Sequence, residues 1–222
     1  MNKKLVSSLF AVFASLLLAQ SASATTVVAG YSFQDNAFAD VLISSFGNYT
    51  VQPHTGYPAP IAGLNQVEDS ITDTVADTYT YSWTDNAYLQ VGFTDNLLTN
   101  GPGADLALFE VGEAADTFEV SLSVGGTSHL YATTYTGYDA NSPSCSVNVA
   151  LIDLSDFGVG AYQTISSVVI GVDKITHTTL GYTVPSLAVV GALNTAIPEP
   201  STMLLLGSGL IGLAARRRKL KA

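Results

Sequence analysis

Residues 25 to 195 predict a mainly β fold, an antiparallel two-sheet sandwich or jelly roll, and three observations carry that prediction. Threonine is abundant, with 22 among the 173 residues from 25 to 197, so β-branched strand formers dominate. No apolar spacing of helical period persists beyond about two turns. Turn clusters break the chain at short intervals: Thr99-Asn100-Gly101-Pro102-Gly103, Gly125-Gly126, Asn141-Ser142-Pro143 and Gly158 to Gly160. About nine short strands without intervening helices fit two packed antiparallel sheets. Outside this region, residues 1–24 predict an N-terminal signal helix, and residues 196–222 contain a C-terminal transmembrane helix.

Taken in order, the strands are expected at Val27 to Phe33, Thr78 to Trp83, Tyr88 to Phe93, Leu106 to Val111 and Thr117 to Val124, then at Ser128 to Thr134, Ser146 to Ile152, Thr164 to Val172 and Ser186 to Ala192. Alternation is clearest in the fifth, where Phe118, Val120, Leu122 and Val124 face one way and Glu119, Ser121 and Ser123 the other. In the second, Tyr79, Tyr81 and Trp83 share a side, and such a row belongs to a core more often than to a sugar-stacking platform. Ala37 to Phe46 reads as a short helix. Residues 52 to 65, with Pro53, Gly56, Pro58, Pro60 and Gly63, read as a long surface loop, either a recognition element or a tolerated insertion. No internal repeat is present, which excludes a solenoid or propeller.

The chain has 222 residues, 47% hydrophobic and 12% charged, enough apolar content for one folded domain and too much for a disordered polymer. Its single cysteine, Cys145, excludes a disulfide framework and a cysteine-rich zinc module, and reads as a lone turn thiol. The formal charge of −10 conceals a segregation. Seven of the eight cations sit at the two ends, so residues 25 to 197 set 17 acids against Lys174 alone, a balance of −16. A phosphate backbone is repelled by such a surface, and nucleic acid is excluded as a partner.

The first 24 residues run from Lys3 and Lys4 through an apolar stretch, Leu5 to Ala19, to Ala22-Ser23-Ala24. Small residues at the first and third positions of that triplet suit a signal peptidase, with cleavage after Ala24. At the other end, Ile197-Pro198-Glu199-Pro200 leads to an uncharged run from Met203 to Ala215 and then to Arg216-Arg217-Arg218-Lys219. Thirteen helical residues reach about 20 Å, a weak membrane anchor against a hydrocarbon layer of about 30 Å. The basic residues at both ends favour the cytoplasmic side, which puts the acidic middle across the membrane.

Pro198, Glu199 and Pro200, the apolar run and Arg216, Arg217 and Arg218, in that order, resemble the PEP-CTERM sorting signal of Gram-negative bacteria. The resemblance implies recognition by an exosortase, a membrane-embedded cysteine peptidase, and cleavage near the Pro-Glu-Pro. The helix is then a temporary inner-membrane tether, and the product goes to the cell surface or extracellular matrix. An ordinary tail anchor with a proline-rich linker is the plainer alternative. Within the middle region, Gly92 to Asn96, Gly101 to Leu106 and Phe109 to Gly112 resemble a segment of secreted bacterial β-sandwich domains, several of which carry PEP-CTERM tails. Ile152 to Val159 and Val168 to Ile170 are similar to the downstream half of those domains. Thr183 stands after Gly181 and Tyr182 where those domains carry an aspartate, which puts any site using that acid in doubt.

Asp95, Asp105 and Glu110 bracket a glycine-rich turn, and converging carboxylates with turn carbonyls are what calcium requires. The competing reading is turn carboxylates bonded to their own backbone. Tyr131, Tyr135 and Tyr138 lie near glycine and asparagine turns and are the candidate ligand-binding group, for stacking on sugar rings. His54, His129 and His177 show no arrangement with a serine elbow or with Cys145, so no catalytic residue is assigned. Two functions follow as expectations. The first is a non-enzymatic exported surface or matrix protein associated with exopolysaccharide; the second is a secreted glycosidase-like enzyme without a recognisable motif. Two carboxylates across an open cleft distinguish the enzyme, and exposed aromatics the binder.

Overall fold

A computed structural model describes residues 24–53, 62–112, 115–140, 145–178 and 181–195. The expected signal helix, Pro198 to Pro200, the C-terminal helix and its arginines, His54 and most of the 52–65 segment lie outside the described residues, as does Asn141-Ser142-Pro143. Among the described residues no helix is long and apolar enough to cross a membrane.

Strands dominate, as the threonine content requires. In chain order they are β1 (Thr25–Val28), β2 (Tyr31–Gln34), β3 (Val41–Phe46), β4 (Tyr49–Pro53), β5 (Thr78–Ser82), β6 (Tyr88–Gly92), β7 (Leu98–Thr99), β8 (Leu106–Gly112), β9 (Thr117–Ser121) and β10 (Ser128–Ala132). They continue as β11 (Thr134–Asp139), β12 (Ser146–Ile152), β13 (Thr164–Ile165), β14 (Ser167–Gly171), β15 (Thr176–Thr178), β16 (Gly181–Thr183) and β17 (Leu187–Ala192). One helix, α1 (Leu64–Ile71), lies between β4 and β5, and a 3-10 turn covers Leu154–Phe157.

Two antiparallel sheets hold most of these strands. One runs β10-β9-β14-β6-β3 and the other β11-β12-β8-β17-β5-β4, and both feed a single apolar core. Leu89, Val91, Phe118, Val120, Val168 and Ile170 come from the first, and Leu106, Leu108, Phe109, Ile152 and Val190 from the second. At each margin the outermost strands of the two sheets are consecutive in sequence. Gly47 and Asn48 take the chain from β3 to β4, and Thr133 alone takes it from β10 to β11. Such crossovers cover part of the exposed edge that an open sheet would present.

The first crossover works because Gly47 adopts φ +128, where a β-carbon would also sit 2.8 Å from that of Ala87. Tyr49, 2% exposed, locks it from inside: its hydroxyl lies 2.7 Å from the Phe46 carbonyl and 2.5 Å from that of Tyr88. Burial pushes this phenol up to about 12, so it remains a neutral donor.

Several expectations are corrected. Ala37 to Phe46 is extended rather than helical: Phe38 bridges Gly191, and β3 pairs with β6. The helix falls instead at α1, which starts in the last two positions of the expected loop and runs beyond it, where Val67, Ser70 and Ile71 recur at helical spacing and are buried. Its start is set by the Gln66 side chain accepting from the Gly63 amide at 3.0 Å. The strand expected at Val27 to Phe33 is a hairpin, turned at Ala29 and Gly30, both at positive φ. Its Phe33 ring packs against Phe38 and Phe109 at centroid distances of 5.0 and 5.9 Å, over Gly191. A β-carbon on Gly191 would stand 2.6 Å from the Phe33 ring. Gly191→Ala is therefore expected to cost about 1–3 kcal/mol by overpacking, read as a lower urea midpoint with unchanged slope.

Candidate functional site

The three acids expected to gather around calcium do not converge, and among the described residues no three His, Cys, Asp or Glu side chains form a metal-binding group. Each has its own partners. Asp105 is fully buried and its carboxylate is claimed by three segments: the Gly101 amide at 2.7 Å, the Asn194 side chain at 2.8 Å and the Leu154 amide at 2.9 Å. Its own carbonyl accepts from the Leu193 amide at 2.7 Å. Its carboxylate oxygens are occupied by donors, which leaves them poor ligands for a cation.

Asp95 is exposed and lies against Asp40. The Asp40 carboxylate accepts from the Thr94 amide at 2.8 Å, the Thr94 hydroxyl at 2.7 Å and the Asp95 amide at 3.1 Å. Burial raises the Asp40 carboxyl, but these donors outweigh it and hold it below its ordinary value. Asp95 is raised, by desolvation and by the Asp40 carboxylate beside it.

Glu110, on β8, is buried at the second crossover. Its Oε2 accepts from the Thr133 hydroxyl at 2.6 Å and from the Asp116 amide and Asn148 side chain, both at 3.3 Å. The Asp116 carboxylate in turn accepts from the Thr183 hydroxyl at 2.6 Å. Thr183, which follows Gly181 and Tyr182, thus supplies a donor to an acid. Desolvation pushes Glu110 up to about 8, with the Asp116 carboxyl adding to the rise and the Thr133 hydroxyl opposing it. Glu110 is thus a protonated structural acid at neutral pH. Sequence reasoning linked it to calcium because spacing reports which acids flank a turn, whereas its burial depends on strands remote in the chain.

The expected ligand-binding tyrosines do not stack on one another. The Tyr131 hydroxyl donates to Asp156 at 2.8 Å, and its ring tilts against Phe157, beside His129. The Tyr135 hydroxyl donates to Asp139 at 2.9 Å, while Tyr138, beyond a register shift in β11, lies over Gly30. The aromatic row expected in the core is only partly there: Tyr79, packed against the core, and Tyr81 are half-buried, and Trp83 is exposed. Thr80 and Ser82 are the buried residues of β5: the Thr80 hydroxyl meets that of Ser70 on α1, and the Ser82 hydroxyl donates to the Asn48 carbonyl at 2.8 Å. Tyr79, Tyr81 and Trp83 consequently take the other face, with ring centroids 6.3 and 6.4 Å apart in sequence and Trp83 55% exposed. Rings at this spacing, held by a rigid strand, can present flat apolar faces to a ligand. Cys145 is half-buried.

A cleft of about 320 Å³ opens between the β1–β2 hairpin and the end of β17, lined by Thr25, Ser32, Gln34, Asn194 and neighbouring residues, none of them acidic.

An antiparallel β domain with an aromatic surface row and an acidic surface is thus continued, immediately after Thr195, by a distinct C-terminal segment. Residues 196–219 match the family model of the PEP-CTERM protein-sorting motif, and the chain carries that motif. It implies an exported protein, sorted by an exosortase, with a membrane-tethered step. No curated protein and no solved structure matches the chain.

Two predictions separate the buried acids. Asp105→Ala leaves two amides and Asn194 without their acceptor and is expected to cost about 3 kcal/mol or more in a urea titration. Glu110 takes up protons on folding between its unfolded value near 4.5 and its folded value near 8, so its contribution to stability is lost as pH rises through that window. Glu110→Gln, which keeps the shape and cannot ionise, is expected to flatten the fall in melting midpoint between pH 5 and 9 and to raise the midpoint at pH 9 by roughly 5 °C.

Proposed function

We propose that the chain is a non-enzymatic, exported surface or extracellular-matrix protein whose β-sandwich contacts exopolysaccharide through Tyr79, Tyr81 and Trp83. Trp83, exposed at the end of a row whose Tyr79 and Tyr81 are half-buried, carries this reading. Sugar rings present apolar C–H faces, and a strand-borne ladder of aromatic rings offers matching flat surface at little conformational cost. An acidic domain keeps such a protein soluble outside the cell.

In this reading a signal peptidase removes residues 1–24, the tail holds the chain in the inner membrane of a Gram-negative cell, and exosortase cleavage near Pro198, Glu199 and Pro200 releases it toward the surface. Of the three acids, Asp95 is the exposed one, beside the half-buried Asp40, and is where calcium would be tested; Asp105 and Glu110 are committed elsewhere.

The full chain is to be run in native gels containing exopolysaccharide extracted from the producing cells. Trp83→Ala is expected to weaken retardation about tenfold, the 1.4 kcal/mol scale of one stacked ring, with Tyr81→Ala weaker in effect. Wild-type retardation in both variants, or shortening of the polysaccharide by the wild-type chain, would sink the reading. In cells, replacing Pro198, Glu199 and Pro200 with alanine is expected to leave the tail uncut and the chain membrane-bound.

A further inference from the structure

The end of the domain that leads into the sorting motif is assembled from loops distant in sequence. The Thr99 amide donates to the Asn194 carbonyl at 2.9 Å, and Leu98 bridges Thr195. The Asn100 amide donates to the Gln163 carbonyl at 2.9 Å, and the Tyr162 amide returns a bond to the Asn100 carbonyl at 2.7 Å. Thr25, at the expected mature N-terminus, lines the same cleft as Asn194 and Thr195. Both ends of the domain therefore leave from one face.

That face departs from the charge of the rest. Residues 96–104 and 158–167, which build it, contain no charged side chain, within a region whose balance is −16. Asp105 is buried beneath it, and the exposed Asp95 and Asp156 flank its two segments in the chain. Tyr162 projects from it, 78% exposed, at one end of the β7–β13 pairing, and Leu97, 37% exposed, lies at the other. The Tyr162 backbone sits at φ +62, a conformation in which a β-carbon is crowded. The turn enforces it: the Gln163 amide donates to the Gly160 carbonyl at 3.0 Å, and the Gln163 side chain accepts from the Gly160 amide at 2.9 Å. Backbone strain that presents an aromatic ring to solvent is maintained at a cost and points to use.

The chain outside the described residues limits where this face can go. Seven residues, 196–202, separate Thr195 from the apolar run that starts at Met203, a reach of about 25 Å at full extension. A bilayer with anionic headgroups repels a surface of −16, so an uncharged patch is the part that can come close. Tyrosine is favoured at the headgroup level, where its ring is in apolar surroundings and its hydroxyl remains wet.

We propose that, during the tethered step, this end of the domain rests on the lipid bilayer surface with Tyr162 and Leu97 at the headgroup level. The proposal depends on the tethering given above. It places the Pro198 segment against the membrane, within three residues of the last bridge of the fold, and turns the Tyr79-Tyr81-Trp83 row toward the medium. β6 separates the two ends, because the Trp83 loop precedes it and the Asp95 to Leu97 loop follows it.

Trp83 is the sole tryptophan of the chain and serves as the distal reporter. The full chain and a Tyr162→Trp/Trp83→Phe variant are to be reconstituted in phosphatidylethanolamine–phosphatidylglycerol vesicles carrying a headgroup nitroxide lipid. Emission from residue 162 is expected to fall roughly twofold relative to nitroxide-free vesicles, with emission from native Trp83 unchanged. Vesicle flotation is measured on the same samples. A chain that floats with residue 162 unquenched overturns the docking and leaves the tether standing; contact with the processing peptidase in place of lipid gives that outcome. A chain that does not float overturns the tether and the docking together.

Discussion

A carboxylate buried without water must find donors, and the Asp105 side chain finds them on three segments that are far apart in the chain. The Gly101 amide belongs to the loop before β8, the Leu154 amide to the turn after β12, and the Asn194 side chain to the exit from β17. A single unsatisfied charge would cost more than any one of these contacts contributes, so the three are positioned together or not at all. The end of the domain from which the sorting segment departs is organised around this one side chain.

A second buried acid organises the opposite kind of feature. Glu110 sits where the chain passes from one sheet to the other through Thr133, and desolvation keeps it protonated. Each acid accepts from a backbone amide and from an amide side chain, Asp105 from Gly101, Leu154 and Asn194 and Glu110 from Asp116 and Asn148. Glu110 differs in facing a second carboxyl, that of Asp116, which adds to the rise that desolvation causes while the Thr133 hydroxyl opposes it. Both acids belong to the scaffold, which leaves the aromatic row and the uncharged end as the surfaces that face outward.

These two surfaces lie at different places because β5 and β6 run between them. Pairing of Thr80 with Ser70 on α1 and of Ser82 with the Asn48 carbonyl satisfies polar groups inside, and Trp83 is left on the exterior beside the half-buried tyrosines. An acidic surface elsewhere disperses the domain in water, and Lys174, the one cation in the region from 25 to 197, is spent on Glu119 at 2.6 Å. Function in this protein resides in address and contact, with the fold separating the end that is tethered from the face that binds.

The sequence by itself determined what depends on neighbours along the chain. Threonine-rich alternation marked the strand content, with β6, β8, β12 and β17 placed within a residue or so, and Pro198-Glu199-Pro200 with its apolar run and arginines marked the sorting motif, since that motif is read as a linear segment. Tertiary structure alone decided the rest. It made Ala37 to Phe46 extended by pairing it with β17 and β6, and it split Val27 to Phe33 into a hairpin. It also buried Thr80 more deeply than its neighbours Tyr79 and Tyr81, against the usual ranking of polarity, because the Thr80 hydroxyl meets that of Ser70 on α1. Burial of Glu110 and saturation of Asp105 were likewise invisible in the spacing, since each depends on donors 23 to 89 residues away that only folding brings within hydrogen-bond distance.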